Sequence, residues 1–339
     1  MSEFATLTWQ KVDELIASHT EEIVSPLLCA EPLVSVIVSC YQHGAFVRQA
    51  MESIVMQKTV FQFEVVVGDD GSSDESYEIL KEFQQRHPEK IRLFRSFPRL
   101  GVEGGYGIVT LIRSMRACRG KYIALLESDD YWTDENKLQI QVDLLESNPE
   151  CSGSFHDVEI VGDWKGEPIY ADFGDKDRIS FEDQLTFETP MAFGSLMAKR
   201  DLFVDLPDFF LNPPFLDRYF MAEMSFHGPV IKAPGKMGAY RRHAGGITLS
   251  ELMASYQAWY RTWGFYRELK AHFSPRGDGY YDYMTRFAIR FLLRKSRRPR
   301  WSLRNLLQTL GAACKMGVGQ TILALCEAMG KTNPYARKW

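Results

Sequence analysis

Two pairs of adjacent carboxylates in this chain each close an apolar run. Asp69-Asp70 ends FEVVVG and opens Asp69-Asp70-Gly71-Ser72-Ser73-Asp74, and Asp129-Asp130 follows YIALLE within Glu127-Ser128-Asp129-Asp130. Gly, Ser and Asp favour turns and helix caps, so the first cluster can be a turn whose Ser73 or Asp74 caps the next helix, and a ligand role can coexist with that. The second cluster can equally cap a helix starting near Asp134. Neighbouring carboxylates directly after a buried strand repel one another and lose hydration, which is costly unless a cation neutralises them. Mg²⁺ or Mn²⁺, held by one or two carboxylates and by phosphate oxygens, meets that need. Further on, Arg241, Arg242 and His243 are suited to phosphate charge or, for His243, to a metal, with a solvated basic loop as the alternative.

The elements that must position these residues alternate in period. Leu33 to Cys40, Phe63 to Gly68, Ile91 to Arg95 and Tyr122 to Glu127 are short apolar runs of the kind that fill strands buried on both faces. Between them, Phe46 to Gln57, Asp74 to Arg86 and a stretch ending near Arg119 have helical spacing. Strand and helix in alternation predict an α/β fold with a mostly parallel central sheet and helices on both faces. Ligands of such sheets bind beyond the carboxyl ends of the strands, where Ser39-Cys40-Tyr41 and both acidic clusters fall. Asp134 to Ser147 reads as a helix, Ser154 to Val161 and Phe193 to Ala198 as strands, Phe215 to Tyr219 as the start of a helix, and Lys232 to Gly246 as strand and loop. Leu7, Val12, Leu15, Ile16 and Ile23 predict a helix over residues 6–28, packed outside the main domain. Beyond Gly246 the character becomes helical and aromatic, with Trp259, Trp263 and Tyr266 on one stripe that reads as core packing. The expected organisation is an N-terminal helical segment (1–32), a main domain (33–246) and a helical C-terminal region (247–339).

Three segments in order, SVIVSCYQHGAFVRQAMESIVMQ, FEVVVGDDGSSDES and RGKYIALLESDDYWTDENKLQIQVDLLE, with YRRH later, resemble the family 2 glycosyltransferases of the GT-A fold, particularly bacterial ones that build surface polysaccharides. The resemblance implies that Ser39 and Tyr41 flank a uracil and that Asp70 accepts a hydrogen bond from its ring nitrogen. It implies Asp129 on the ribose or metal, Asp130 on the metal, Asp217 as general base, and Arg241, Arg242 and His243 beside the diphosphate, His243 as a further metal ligand. Glu127 stands where the metal motif usually opens with Asp. Many relatives carry an Arg-Asn pair before the third strand; this chain has Val109-Thr110-Leu111-Ile112-Arg113, where Arg113 is the candidate substitute. Asp217 can instead be a helix cap.

The expected activity is inverting transfer of a sugar from a nucleotide diphosphate donor, a UDP-sugar by the resemblance, to a hydroxyl of a glycan or lipid-linked acceptor, with Mn²⁺ or Mg²⁺ as cofactor. A nucleotidyltransferase would carry a glycine-rich basic loop after the first strand, where this chain reads SCYQHG. A catalytically silent binding protein fits poorly with the retained acids at 69, 70, 129, 130 and 217.

Composition bounds the rest. With 45% hydrophobic and 25% charged residues among 339, the chain is an ordinary globular protein of about one large domain and an appendage. Net charge is −4, but eight basic and no acidic residues lie between Arg286 and Arg304, and the remainder carries −12. Basic character that local excludes bulk nucleic-acid binding. With the helical run after it, this segment (286–329) is expected either to lie on an anionic membrane surface or to be a solvated face. No basic-apolar leader and no apolar run of about 18 residues is present, which predicts a cytoplasmic protein. The scattered cysteines Cys29, Cys40, Cys118, Cys151, Cys314 and Cys326 predict reduced thiols rather than a zinc site.

Overall fold

The computed structural model describes residues 7–100, 107–162, 176–184, 191–211, 216–243, 246, 265 and 267–276. Chain contacts divide it into two compact units, Met1–Asn212 with Leu216–His243, and Pro213–Phe215 with Ala244–Trp339.

The first unit is built from α1 (Trp9–His19), β1 (Thr20–Ile23), β2 (Val34–Cys40), α2 (Gly44–Val55), β3 (Phe63–Asp69), α3 (Ser76–Arg86), β4 (Ile91–Ser96), α4 (Ile108–Ala117), β5 (Tyr122–Glu127), β6 (Tyr131–Trp132), α5 (Lys137–Ser147), β7 (Gly153–Gly162), β8 (Arg178–Ile179), α6 (Phe181–Gln184), β9 (Met197–Lys199), α7 (Leu216–His227) and β10 (Val230–Arg242). One mixed sheet runs in the order β1-β4-β3-β2-β5-β9-β7-β10-β6, with β8 paired to β10. Its centre, β4-β3-β2-β5, is parallel throughout, and β7 and β10 form a second parallel pair. Val34, Val36 and Val38 of β2 and Val65 and Val67 of β3 are fully buried beneath Val47, Ala50, Met51 and Ile54 of α2 and Leu80 and Phe83 of α3. The opposite face takes α4, which approaches so closely that a Cβ at Gly68 would lie 2.6 Å from the Thr110 side chain. The four apolar runs are strands because both faces of the sheet are covered, which removes any polar alternation.

The expected helix over 6–28 is a helix only at Trp9–His19. Thr20–Ile23 turns into an edge strand antiparallel to β4, and Arg92 fixes it through Glu22 at 2.8 Å. The segment read as a strand over Phe193–Ala198 begins as a 3-10 turn, Phe193–Ser195, and only Met197–Lys199 pairs in the sheet. The helix expected from Asp134 starts at Lys137. Cys29, Cys40, Cys118 and Cys151 are free thiols. In the second unit, residues 267–272 are helical, and Phe265, Leu269 and Phe273, four apart, are buried. The stripe containing Trp259, Trp263 and Tyr266, the basic run at 286–304 and the segment to 329 lie outside the described residues. No helix among the described residues is long and apolar enough to cross a membrane.

Candidate active site

Backbone hydrogen bonds lace the carboxyl ends of β2, β3 and β5 together. Asp70 N–H donates to Cys40 O at 2.9 Å and Ser128 N–H to Ser39 O at 3.2 Å, so the Ser39-Tyr41 turn lies between the two acidic clusters. Gly71 takes a left-handed φ of 75°, and a Cβ there would stand 2.9 Å from Arg99 N, which is why the first turn requires glycine. Asp74 accepts from the first amides of both flanking helices, Gly44 N at 2.8 Å and Ser76 N at 3.0 Å, so the capping role falls to Asp74 and leaves Asp70 free for another.

Asp70 is buried yet well supplied. Its Oδ1 accepts from Thr110 Oγ1 at 2.8 Å and Leu100 N at 3.2 Å, and its Oδ2 from Arg99 Nε at 3.3 Å. The Arg99 guanidinium also lies 3.8 Å above the centre of the Tyr41 ring. Tyr41, Asp70, Arg99 and Thr110 therefore form one polar and aromatic wall beside Ser39. From α4, Thr110 reaches this wall. Arg113 does not: it pairs with Glu22 at 3.5 Å and stacks on Phe94, so it does not stand in for the missing Arg-Asn pair. Glu22 draws it away, and the edge strand that carries Glu22 has no apolar pattern to announce it.

The second cluster has the opposite character. The start of α5 is organised by Asp134, whose Oδ1 accepts from Asn136 N at 2.8 Å, so neither Asp129 nor Asp130 is spent as its cap. Asp130 is buried and accepts from Arg241 N at 2.7 Å; burial first, then the charges of Asp129 and Glu127, hold its carboxyl well above the ordinary range. Burial also pushes Glu127 up to about 8, helped by Asp129 and Asp217. One oxygen from each of Glu127, Asp129 and Asp130 falls within 4.8 Å of the others. Burial and mutual repulsion that favour the proton on Glu127 and Asp130 suit the cluster to a hard divalent cation, which would replace those protons and relieve the repulsion.

Asp217 is the second residue of α7. Its Oδ1 accepts from the adjacent Arg218 N at 2.9 Å. Burial raises its pKa, opposed by Arg218, and its charge is among those that raise Glu127.

Arg241 acts as a strut. Its Nη1 donates to Asp129 O and its Nη2 to Gln49 Oε1 at 2.6 Å, while the guanidinium lies over Phe46 at 4.7 Å and Tyr131 at 5.1 Å. Successive strand residues face opposite sides, so the buried Arg242 turns from the face that carries Arg241. His243 Nε2 lies 3.1 Å from Asp129 Oδ2, and His43 approaches the same oxygen at 3.9 Å. Sequence reading did not single out Arg99, Thr110, His43 or Gln49. Only His43 carried a local signal, since it falls in the turn just beyond a strand end.

Comparison with known proteins places the chain in a family and a fold. The family described as Glycosyl transferase family 2 matches residues 35–203. An uncharacterized protein of Mycobacterium tuberculosis is 31% identical over 221 residues, 63% of this chain and 60% of that protein, so the chain spans well under two thirds of this relative. An Escherichia coli chondroitin synthase is 35% identical over 111 residues, 33% of this chain and 15% of its own. Among solved structures, S. aureus TarS 1-349 in complex with UDP-GlcNAc superposes with a TM-score of 0.62 at 14% identity, covering 90% of this chain and 93% of that one. A mannosyltransferase of Pyrobaculum calidifontis in complex with GDP-Man and Mn²⁺ gives 0.51 at 18% identity, covering 97% and 94%. At such identities these two establish the fold, which is that of the GT-A glycosyltransferases.

Proposed function

We propose, from the premise that this chain belongs to glycosyl transferase family 2 over residues 35–203, that it moves a hexose from a UDP-sugar to a hydroxyl acceptor in surface glycan synthesis, with inversion. The observation that carries the reading is the crowding of Glu127, Asp129 and Asp130 into one acidic cluster, with the charge of Asp217 felt at Glu127.

In this reading Tyr41, Ser39 and Asp70 hold the base, Asp70 accepting the ring N–H that uracil offers and cytosine lacks. Asp129 and Asp130, with His243 as a further candidate, hold Mn²⁺ or Mg²⁺, whose bound charge stabilises the leaving diphosphate. Arg241 fixes the Asp129 carbonyl and the Asp130 carboxylate, and its charge favours an anion nearby. Asp217 takes the proton of the attacking hydroxyl, and the raised pKa that burial gives it suits a base. A single displacement on the face opposite the leaving group inverts the anomeric centre and needs no sugar-enzyme intermediate.

The natural acceptor in this reading is a glycan or lipid-linked hydroxyl on the cytoplasmic side, with the basic segment 286–329 touching an anionic membrane. Co-sedimentation with anionic but not neutral liposomes is expected, and equal, negligible binding to both removes that contact. The function itself is tested by a thermal-shift screen of nucleotide sugars with and without Mn²⁺, followed by UDP release, since a ligand that binds only the folded state stabilises it. One UDP-sugar is expected to give a metal-dependent shift. Shifts that are metal-independent, or binding without UDP release under any acceptor mixture, would overturn the metal or the transfer respectively.

A further inference from the structure

The amino ends of β2 and β3, opposite the acidic clusters, carry features that the proposed chemistry does not use. Six large apolar side chains are exposed among the described residues. Four of them, Val24, Leu27, Met56 and Val60, belong to the connections from β1 to β2 and from α2 to β3, which meet at this end. Isolated exposed apolar residues are ordinary, whereas a group of them at one place marks an interaction surface. Val60 is 92% exposed, yet its amide donates to Gln139 Oε1 at 2.9 Å, so the backbone is held while the side chain stands in water.

A pocket of about 450 Å³ opens next to Val60, and its walls include Leu27, Cys29, Lys58, Phe61, Phe63 and Lys90. Both connections are fastened to the sheet and to one another. Leu33 N–H donates to Gln62 O at 2.8 Å, Cys29 N–H to Glu89 O at 3.1 Å and Lys58 N–H to Glu135 O at 2.7 Å. Knob and pocket are therefore parts of one braced surface, with Thr59 and Phe61, the chain neighbours of Val60, in the pocket wall.

We propose that this end is a self-association face on which two copies of the chain meet about a two-fold axis, Val60 of each entering the pocket of the other. A two-fold contact requires the same patch to be its own complement, and a knob beside a hole satisfies that requirement. Charge favours the same occupant. Lys58 stands with Glu135 at 2.6 Å and Lys90 adjoins Glu89, so the face carries both signs and attracts neither a polyanion nor an anionic lipid surface. Each lysine can instead meet a carboxylate of the second copy. An apolar patch of four side chains suits a weak, concentration-dependent dimer rather than an obligate one. The contact leaves the carboxyl ends of the strands uncovered, and it does not rest on the proposed transfer.

Sedimentation velocity of the full chain in reducing buffer, from about 1 to 300 μM where weak specific contacts become populated, tests the face. Monomer is expected to pass to dimer across that range. Val60→Glu is expected to weaken the dimer at least tenfold and to leave the melting temperature of the dilute protein unchanged, since the side chain it replaces is already in water. Position is tested by Val60→Cys with diamide, which takes up two electrons and two protons as two thiols join. The expected product is a dimer linked from residue 60 of one copy to Cys29 of the other, identified by peptide mass and lost when Cys29→Ser is added. A wild-type chain that stays monomeric throughout, or a dimer of equal strength in Val60→Glu, overturns the self-association, and a cross-link that persists without Cys29 overturns the knob-in-pocket arrangement.

Discussion

The two acidic corners of this site come from similar sequence and are built to opposite specifications. On the β3 side, Asp70 has hydrogen-bond donors on both oxygens and Asp74 caps two helices. On the β5 side, Glu127 and Asp130 are enclosed with one another's charge, and burial raises the pKa of both. A carboxylate already satisfied by the protein can recognise a neutral donor group such as a ring N–H without needing anything else. A buried carboxylate whose neighbours add more negative charge than they neutralise is suited to a cation. Asp69 stands between the two kinds: it accepts from Ser72 N at 3.1 Å, yet its other oxygen is buried without a partner and burial raises its pKa.

The comparison is broken most severely at Asp217. Asp217→Asn preserves shape but cannot take a proton, so donor affinity should hold while turnover falls about 10²- to 10⁴-fold. Affinity and transfer rate measured on one preparation check this, and transfer within a few-fold of wild type would leave Asp217 a structural residue. Asp130→Ala is expected to remove the gain that Mn²⁺ brings to UDP binding, seen by calorimetry with and without the metal, while stabilising the metal-free protein by removing a desolvated carboxylate. Undiminished metal-dependent affinity in the folded variant would put the ion elsewhere.

A proton test sharpens the contrast. Glu127 binds its proton more tightly in the folded chain than in the unfolded one, so its contribution to stability is complete below the ordinary glutamate range and is lost as pH rises through about 8. The melting temperature of the metal-free protein should therefore fall across that window, and the increment from Mn²⁺ should grow across it. Below about pH 8, metal affinity should drop about tenfold per unit for one displaced proton. A pH-independent increment would mean that the ion does not displace it. The smallest effect is expected on the satisfied side: Thr110→Val removes one of several bonds to Asp70, costing about 1 kcal/mol, or about fivefold in UDP affinity. A loss as large as that of Asp130→Ala would show that the β3 corner is no more self-sufficient than the other.

The strands at the centre of the sheet were legible because burial on both faces leaves runs such as VSVIVSC without polar alternation. The edge strand TEEI was not, since its pairing with β4 rests on Glu22 meeting Arg92, a contact between residues 70 apart in sequence. The acidic corners were legible for the same reason as the strands they end. Arg99 and Thr110 were not, because a loop and a helix from different parts of the chain bring them to Asp70. Arg113 was misread for want of knowing where Glu22 lies.

The single carboxylate of Asp74 at the head of both α2 and α3 has a kinetic consequence. Gly44 N–H and Ser76 N–H cannot be released one at a time without leaving Asp74 partly unpaired, and the turns are stitched again by Gln42 N to Ser72 Oγ and His43 N to Ser76 Oγ, at 3.0 and 2.9 Å. The two helix starts should therefore open together, as one cooperative unit, and their amides should exchange with deuterium at a common rate set by that joint opening.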